Sequence, residues 1–349
     1  MVKRLPSLDG LRALSIFFVL WGHLFFQTSL DLELGSIGVQ VFFVISGFLI
    51  TWLLLQEKSG FGTINLRYFY FRRALRILPL VILFLLTLSI LNKAFDLGIK
   101  PGTFMASLFF VRNFPFPDRG EWHTGHFWSL AVEEQFYLAF PFLISRLNLA
   151  WYKRIVLALI VLIPTICLCF HANIPALMED GVIHRLAWLF CKLFGEGTAL
   201  IMVGSLLAIL KFEGSPFVNW LERLKGRYLS LLIFIAAMIL RLPAFGLYRP
   251  DVSDLVFGFF VGCIILMELK GGSFFSVLMN TRFMVLIGTY SYGIYVWQQL
   301  FTHQQPWHGI SPLTDSMLVN MIALGVVSFL SYEYVEKGCL RYKDRFNRH

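Results

Sequence analysis

Arg12 and His23 lie eleven residues apart in a stretch that is otherwise apolar from Leu11 onward. At 1.5 Å and about 100° per residue, that spacing puts them roughly 16 Å apart in depth and almost on one line of a helix. One face of a first membrane span would then carry a cation near one surface and an imidazole more than halfway across. An ionisable group in hydrocarbon is costly, so such a group points first to a working site. Asp9, three residues before Arg12, can pair with it on one turn at the interface. Taken alone, Arg12 reads more readily as an anchor with its stem in lipid and its head in water. His23 alone reads equally as a histidine satisfied by a neighbouring helix.

Three further clusters stand out. The run from Phe127 to Leu138 holds Trp128, Glu133, Glu134 and Tyr137. Glu133 and Tyr137 are four apart and share a helix face, while Glu134 points about 100° away. Glu133 is expected about 10 Å below the surface at which its span begins, at the depth of His23. A carboxylate that orients an imidazole, or shares its proton, is a common catalytic unit. The plainer alternative has both glutamates facing an aqueous vestibule. Between Asn65 and Pro79 stand Arg67, Arg72, Arg73 and Arg76 with Tyr68, Phe69, Tyr70 and Phe71, expected on a short amphipathic helix ending at Pro79. Arginine forks match phosphate and aromatic faces can stack a base, although attraction to anionic lipid explains the same composition. Ser46-Gly47, in the middle of a span, fits close helix packing and leaves Ser46 a weaker candidate. His123 and His126 form an HxxH pair without the further ligands a metal needs, so no metal site is expected. Arg185, Lys192 and Glu196 can form an internal ion pair.

These side chains need a membrane scaffold to hold them. Of 349 residues, 57% are hydrophobic and 15% charged, well below the roughly 25% charged residues of a soluble domain. Apolar runs of about 20 residues recur along the chain, which makes it an all-α, polytopic helical membrane protein in a single domain over residues 1–349. About ten transmembrane helices are expected, at 11–30, 37–55, 77–95, 127–146, 155–172, 186–210, 228–245, 252–269, 283–301 and 316–335. Segment 101–112 reads as interfacial or re-entrant. Lysine and arginine divide 22 against 6 between alternate connecting segments. The positive-inside rule then places both termini in the cytoplasm, and the net charge of +9 reflects topology rather than nucleic-acid binding. Five scattered cysteines without a CxxC suggest no structural disulfide.

Together these clusters resemble the acyltransferase 3 family of integral-membrane O-acyltransferases. The resemblance rests on Leu8-Asp9-Gly10-Leu11-Arg12-Ala13 with His23, on Gly38 to Ile50, and on Arg72-Arg73-Ala74-Leu75-Arg76-Ile77-Leu78-Pro79. It continues in Trp128-Ser129-Leu130 through Glu133-Glu134-Gln135-Phe136-Tyr137 to Pro141, in Gly288 to Tyr295, and in Tyr334-Val335-Glu336-Lys337. It implies transfer of an acyl group, usually acetyl from acetyl-CoA as donor substrate, to a hydroxyl of a cell-envelope carbohydrate or glycolipid acceptor. It also implies a bacterial inner-membrane location and no permanently bound cofactor.

Carried over, His23 matches the essential histidine, as general base or acyl carrier, and Arg12 the arginine before it. Arg73 and Arg76 match the RxxR pair, with Arg72 beside them, and Glu133 the acidic position. Tyr137 or Ser46 is expected at the oxyanion. Some relatives carry a fused SGNH-type domain, which is not expected here because only 14 residues follow the last span. Acceptor choice is expected in the loops 96–126 and 302–315, with Trp122 and Trp307. A transporter or flippase that moves a donor or glycolipid without bond formation is the rival reading. It is disfavoured by the absence of a repeat and by an arginine-aromatic patch on one face only.

Overall fold

The computed structural model describes residues 7–25, 34–114, 122–171, 181–195, 197–224, 226–241 and 250–344. Glu196 lies outside these residues, as do Lys3, Arg4, Arg119, Lys225, Arg249, Arg345 and Arg348 of the charge pattern. The first half contains α1 (Leu8–Leu24), α2 (Leu34–Phe61), α3 (Leu66–Phe95), α4 (Pro101–Leu108), α5 (Trp122–Gly125), α6 (Phe127–Arg146) and α7 (Leu149–His171). The second half contains α8 (Val182–Phe190), α9 (Thr198–Phe212), α10 (Pro216–Leu221), α11 (Leu229–Ile239), α12 (Pro250–Glu268), α13 (Phe274–Met279), α14 (Arg282–Trp297), α15 (Met317–Ser331) and α16 (Lys337–Asp344). No strand occurs among the described residues, so the protein is all-helical.

The hub is α2, apolar all round and buried between α1 on one side and α9 on the other. Glycines allow this contact. A Cβ at Gly47 would sit 1.9 Å from the carbonyl oxygen of Ile201, and one at Gly22 would sit 2.4 Å from the backbone nitrogen of Gly35. Ser46-Gly47 therefore brings two backbones together, as small residues do in membrane bundles. Gly47→Ala is expected to force α2 and α9 apart and cost about 1–3 kcal/mol. A melting point in detergent equal to that of the wild type would show that this contact is not tight.

Among the described residues, four helical segments are long and apolar enough to cross a membrane: Leu34–Phe61, Leu66–Phe95, Leu149–Phe170 and Met317–Tyr342. A fifth arises if Val182–Gly195 and Thr198–Phe212, which meet at 53°, count as one broken span. The outer helices turn apolar side chains outward, among them Leu86, Ile90, Leu138 and Leu318. A water-facing rim would not carry so many, and the chain is a multi-pass membrane protein.

Several elements differ from the sequence expectation. The arginine cluster does not sit on a separate helix ending at Pro79. α3 runs without interruption from Leu66, capped by the Asn65 side chain, which accepts from the Tyr68 N–H at 3.1 Å. Pro79 lies inside it, and near it the Tyr292 hydroxyl of α14 donates to the Ile77 carbonyl at 3.0 Å. The first span was expected to reach residue 30, but α1 closes at Leu24, where the Phe25 N–H bonds to the Trp21 carbonyl. The expected span 186–210 is broken. Gly197 has φ +92°, a left-handed conformation, and the Phe43 ring fills the place its Cβ would take. Segment 101–112 holds only the eight-residue α4, which rises about 12 Å and cannot cross a bilayer.

Candidate active site

A cavity of about 90 Å³ opens among α1, α2, α3, α6 and α14. It follows α2 from Val39 to Ile50, about 16 Å along the helix. Arg12, Ser46, Arg73, Arg76, Glu133, Glu134 and Tyr137 all line it, although they come from four helices. Ser129, Tyr292 and Tyr295 complete its polar wall.

Inside, Arg73 is already matched. Its guanidinium lies flat over Tyr137, 3.5 Å from the ring centroid. Its Nη2 is 3.9 Å from Glu133 Oε2 and its Nε 3.6 Å from Glu134 Oε1. Glu133 accepts from the Ser46 hydroxyl at 2.9 Å and from the Tyr137 hydroxyl at 3.4 Å. Both hydroxyls expected at an oxyanion thus donate to a carboxylate here. Arg76 differs: it lines the cavity and makes no hydrogen bond or ion pair with the described residues. Arg12 bonds Asp9 at 3.2 Å, the i, i+3 pair read from the sequence, and Asp9 itself does not line the cavity. Arg72 points elsewhere, with its Nη2 3.7 Å from Glu57 Oε2.

His23 is not in this cavity, and the expected match in depth with Glu133 is not found. Gly22 packs on Gly35, so His23 sits level with the start of α2. Ser46, the partner of Glu133, lies eleven residues further along α2, about 16 Å away. His23 thus lies in the last turn of α1, while Glu133 shares the cavity with Arg12. The imidazole Nδ1 lies 2.8 Å from Gln298 Oε1, and its ring meets Trp122 edge-on at 5.3 Å. An Nδ1–H donating to this amide oxygen leaves the Nε2 lone pair available as a base.

A polar column joins the two places. At the top of the cavity Ser129 Oγ and Tyr295 OH share a hydrogen bond at 2.5 Å and both lie 3.1 Å from the His126 carbonyl oxygen, so one hydroxyl donates to the other and the second donates to the carbonyl. His126 Nδ1 bonds Gln299 Oε1 at 2.7 Å, and its Nε2 is buried without a partner. Trp122 Nε1–H donates to the Gln299 carbonyl at 2.8 Å, and Gln298, next in the chain, holds His23. The two histidines of the HxxH pair go separate ways, His123 to the Gln304 carbonyl and His126 to Gln299. No group of side chains able to hold a metal occurs among the described residues. Trp128 faces a different chamber from its neighbour Ser129. Sequence reasoning did not single out Gln298 or Gln299, and it met Tyr295 only as the end of the Gly288–Tyr295 stretch. The signal was two adjacent amides closing an apolar helix.

A family-wide profile described as an acyltransferase domain matches residues 5–331. The O-acetyltransferase OatA of Staphylococcus aureus strain NCTC 8325 is 29% identical over 362 residues, covering 96% of this chain. OatA of Staphylococcus aureus strain COL matches to the same extent. The chain spans 57% of the length of these curated relatives. No solved structure matches it. Arg12, the Arg73–Arg76 pair, Glu133 and His23 all fall within the matched span, and the chain belongs to the acyltransferase 3 family.

Proposed function

We propose that the protein is a membrane O-acyltransferase that moves an acetyl group from acetyl-CoA to a hydroxyl of a cell-envelope carbohydrate or glycolipid. The observation that carries this reading is the polar column from Arg76 through Tyr295 to His23, in a chain of an acyltransferase family. The excess of positive charge supports a cytoplasmic position for the Arg12 end of the bundle and for both termini, in a ten-span topology. A bacterial inner membrane accords with the OatA relatives, which are bacterial proteins.

Acetyl-CoA then approaches from the Arg12 end. The cavity of about 90 Å³ has the room of only about three liquid waters. It admits the thioester end of the donor and keeps the nucleotide at the mouth. Phosphates there meet Arg76 and Arg12, while Arg73, committed to Glu133 and Glu134, holds the cavity wall. Beyond Ser129 and Tyr295 the thioester meets the acceptor. His23 Nε2 takes the proton of the attacking hydroxyl, the new C–O bond forms, the C–S bond breaks, and the CoA thiolate leaves and is protonated.

Arg76→Gln is expected to raise the KM for acetyl-CoA about tenfold, the effect of losing one charge-assisted contact, with a smaller change in kcat. Donor titration and initial rates check it. An unchanged KM would remove Arg76 from the donor site.

A further inference from the structure

Two glutamines in succession close α14. The helix ends at Trp297, and Gln298–Leu300 tighten into a 3₁₀ turn. Consecutive residues of such a turn point roughly 120° apart, so the two amides leave in different directions. Gln298 reaches α1, where its Oε1 lies 2.8 Å from His23 Nδ1. Gln299 reaches the residue before α6, where its Oε1 lies 2.7 Å from His126 Nδ1. Each imidazole is thus met at the same nitrogen by an amide oxygen. For Gln299 the orientation is fixed independently, because the same oxygen takes the backbone N–H of His126 at 3.3 Å.

The turn that carries these amides is held from several sides. The Phe301 N–H and the Thr302 hydroxyl both donate to the Gln298 carbonyl at 3.0 Å. Trp122 Nε1–H donates to the Gln299 carbonyl at 2.8 Å, and Trp297 Nε1–H to Ser331 Oγ of α15 at 3.1 Å. α1 and α14 are also locked together nearer their starts: a Cβ at Gly288 would sit 1.9 Å from the Asp9 carbonyl oxygen. The helices that bear His23 and Gln298 therefore keep one register, which a precise hydrogen bond between them needs.

Gln298 is wholly buried, and its Nε2 has no hydrogen-bond partner among the described residues. A buried donor left unmet costs stability, and a leucine would fill much of the same space without that cost. What the amide adds is the bond from its oxygen. A neutral imidazole carries one ring proton, and a neighbour that accepts it at Nδ1 leaves Nε2 bare. Without the acceptor the proton can move to Nε2, and the ring no longer presents that nitrogen as a base. His126 is held in the same way but is shut in, whereas His23 is only partly buried.

We propose that Gln298 is a positioning residue for the transfer: its amide oxygen holds His23 in the Nδ1–H form, with Nε2 bare for the attacking hydroxyl. The proposal rests on the acyl-transfer reading for that hydroxyl, while the tautomer itself can be read without turnover.

The test uses the full chain, carrying isotope-labelled histidine, in lipid nanodiscs. Nitrogen NMR spectra at a pH where the ring is neutral report which nitrogen is protonated, and subtracting the His23→Ala spectrum isolates His23. Wild type is expected to show a protonated Nδ1 and a bare Nε2. Gln298→Leu is expected to lose that preference and to lower kcat with acetyl-CoA and envelope glycan about tenfold. Its KM for acetyl-CoA and its melting point should stay as in wild type. Gln298→Glu, which restores an acceptor, should recover most of the lost turnover. Gln299→Leu, the same change one residue on, should leave the His23 tautomer as it is. A protonated Nε2 in wild type overturns the proposal, and so does a wild-type kcat in folded Gln298→Leu. A lower melting point with neither tautomer nor kcat moved would make Gln298 a packing residue only. If Gln298→Leu shifts the tautomer in a protein that leaves acetyl-CoA intact, the acyl-transfer reading fails and the positioning of His23 stands.

Discussion

Arg73→Leu is expected to destabilise the protein by about 1–3 kcal/mol, because it leaves two partly buried carboxylates without their cation. Glu133 would keep the Ser46 and Tyr137 hydroxyls, and Glu134 would lose its ion pair. The flat contact of the guanidinium with Tyr137 disappears as well. Removing the carboxylates in the same molecule, as Arg73→Leu with Glu133→Gln and Glu134→Gln, should recover much of the loss, since no charge is then stranded. The readout is the melting point in detergent for the single and the triple variant. If Arg73 instead served only to bind a phosphate, the single variant would melt like wild type and lose donor affinity alone. This separates the structural arginine from Arg76, two residues that sequence alone presents as an equivalent pair.

His23→Ala is expected to lower turnover by about 10²- to 10⁴-fold, the usual contribution of a positioned general base. Affinity for acetyl-CoA should not change, because His23 lies outside the donor cavity and about 16 Å along the bundle from the Ser46–Glu133 pair. The melting point should change little, since the loss is one hydrogen bond to Gln298 and an edge contact with Trp122. Donor titration and single-turnover rates on the same preparation check both statements. A variant with tenfold weaker donor binding and an intact chemical step would place the imidazole in the donor site instead.

How far the sequence alone could lead varies from element to element. The 127–146 span coincides with α6, because an aromatic start and an arginine end bracket a continuous apolar run. The Asp9–Arg12 pair needed only helix periodicity, and so did the shared face of Glu133 and Tyr137. The Gly38–Ile50 stretch announced close packing through Gly47, and its backbone contact with Ile201 has that form. What failed was depth. An apolar run of residues does not show where a helix stops, so His23 was assigned to mid-span although α1 ends one residue after it. The contact of His23 with Gln298 joins residues 275 apart, which no local pattern reveals. Pro79 was taken as an end because proline usually breaks helices in water. Here it lies mid-helix, inside a span packed among other helices. The chamber that Trp128 faces was illegible for a similar reason, since its walls come from five separate parts of the chain. Trp128 was picked out by its place beside Ser129, but only the fold shows the two residues facing different cavities.

The most direct measurement is acetyl-CoA turnover by the purified protein with an envelope-glycan extract, following free CoA and the ester formed on the glycan. Wild type is expected to release CoA only when the glycan is present, with one acetyl ester formed for each CoA, and His23→Ala to release almost none while still binding the donor. Intact acetyl-CoA and no glycan ester, in wild-type protein shown by titration to bind both partners, would contradict acyl transfer.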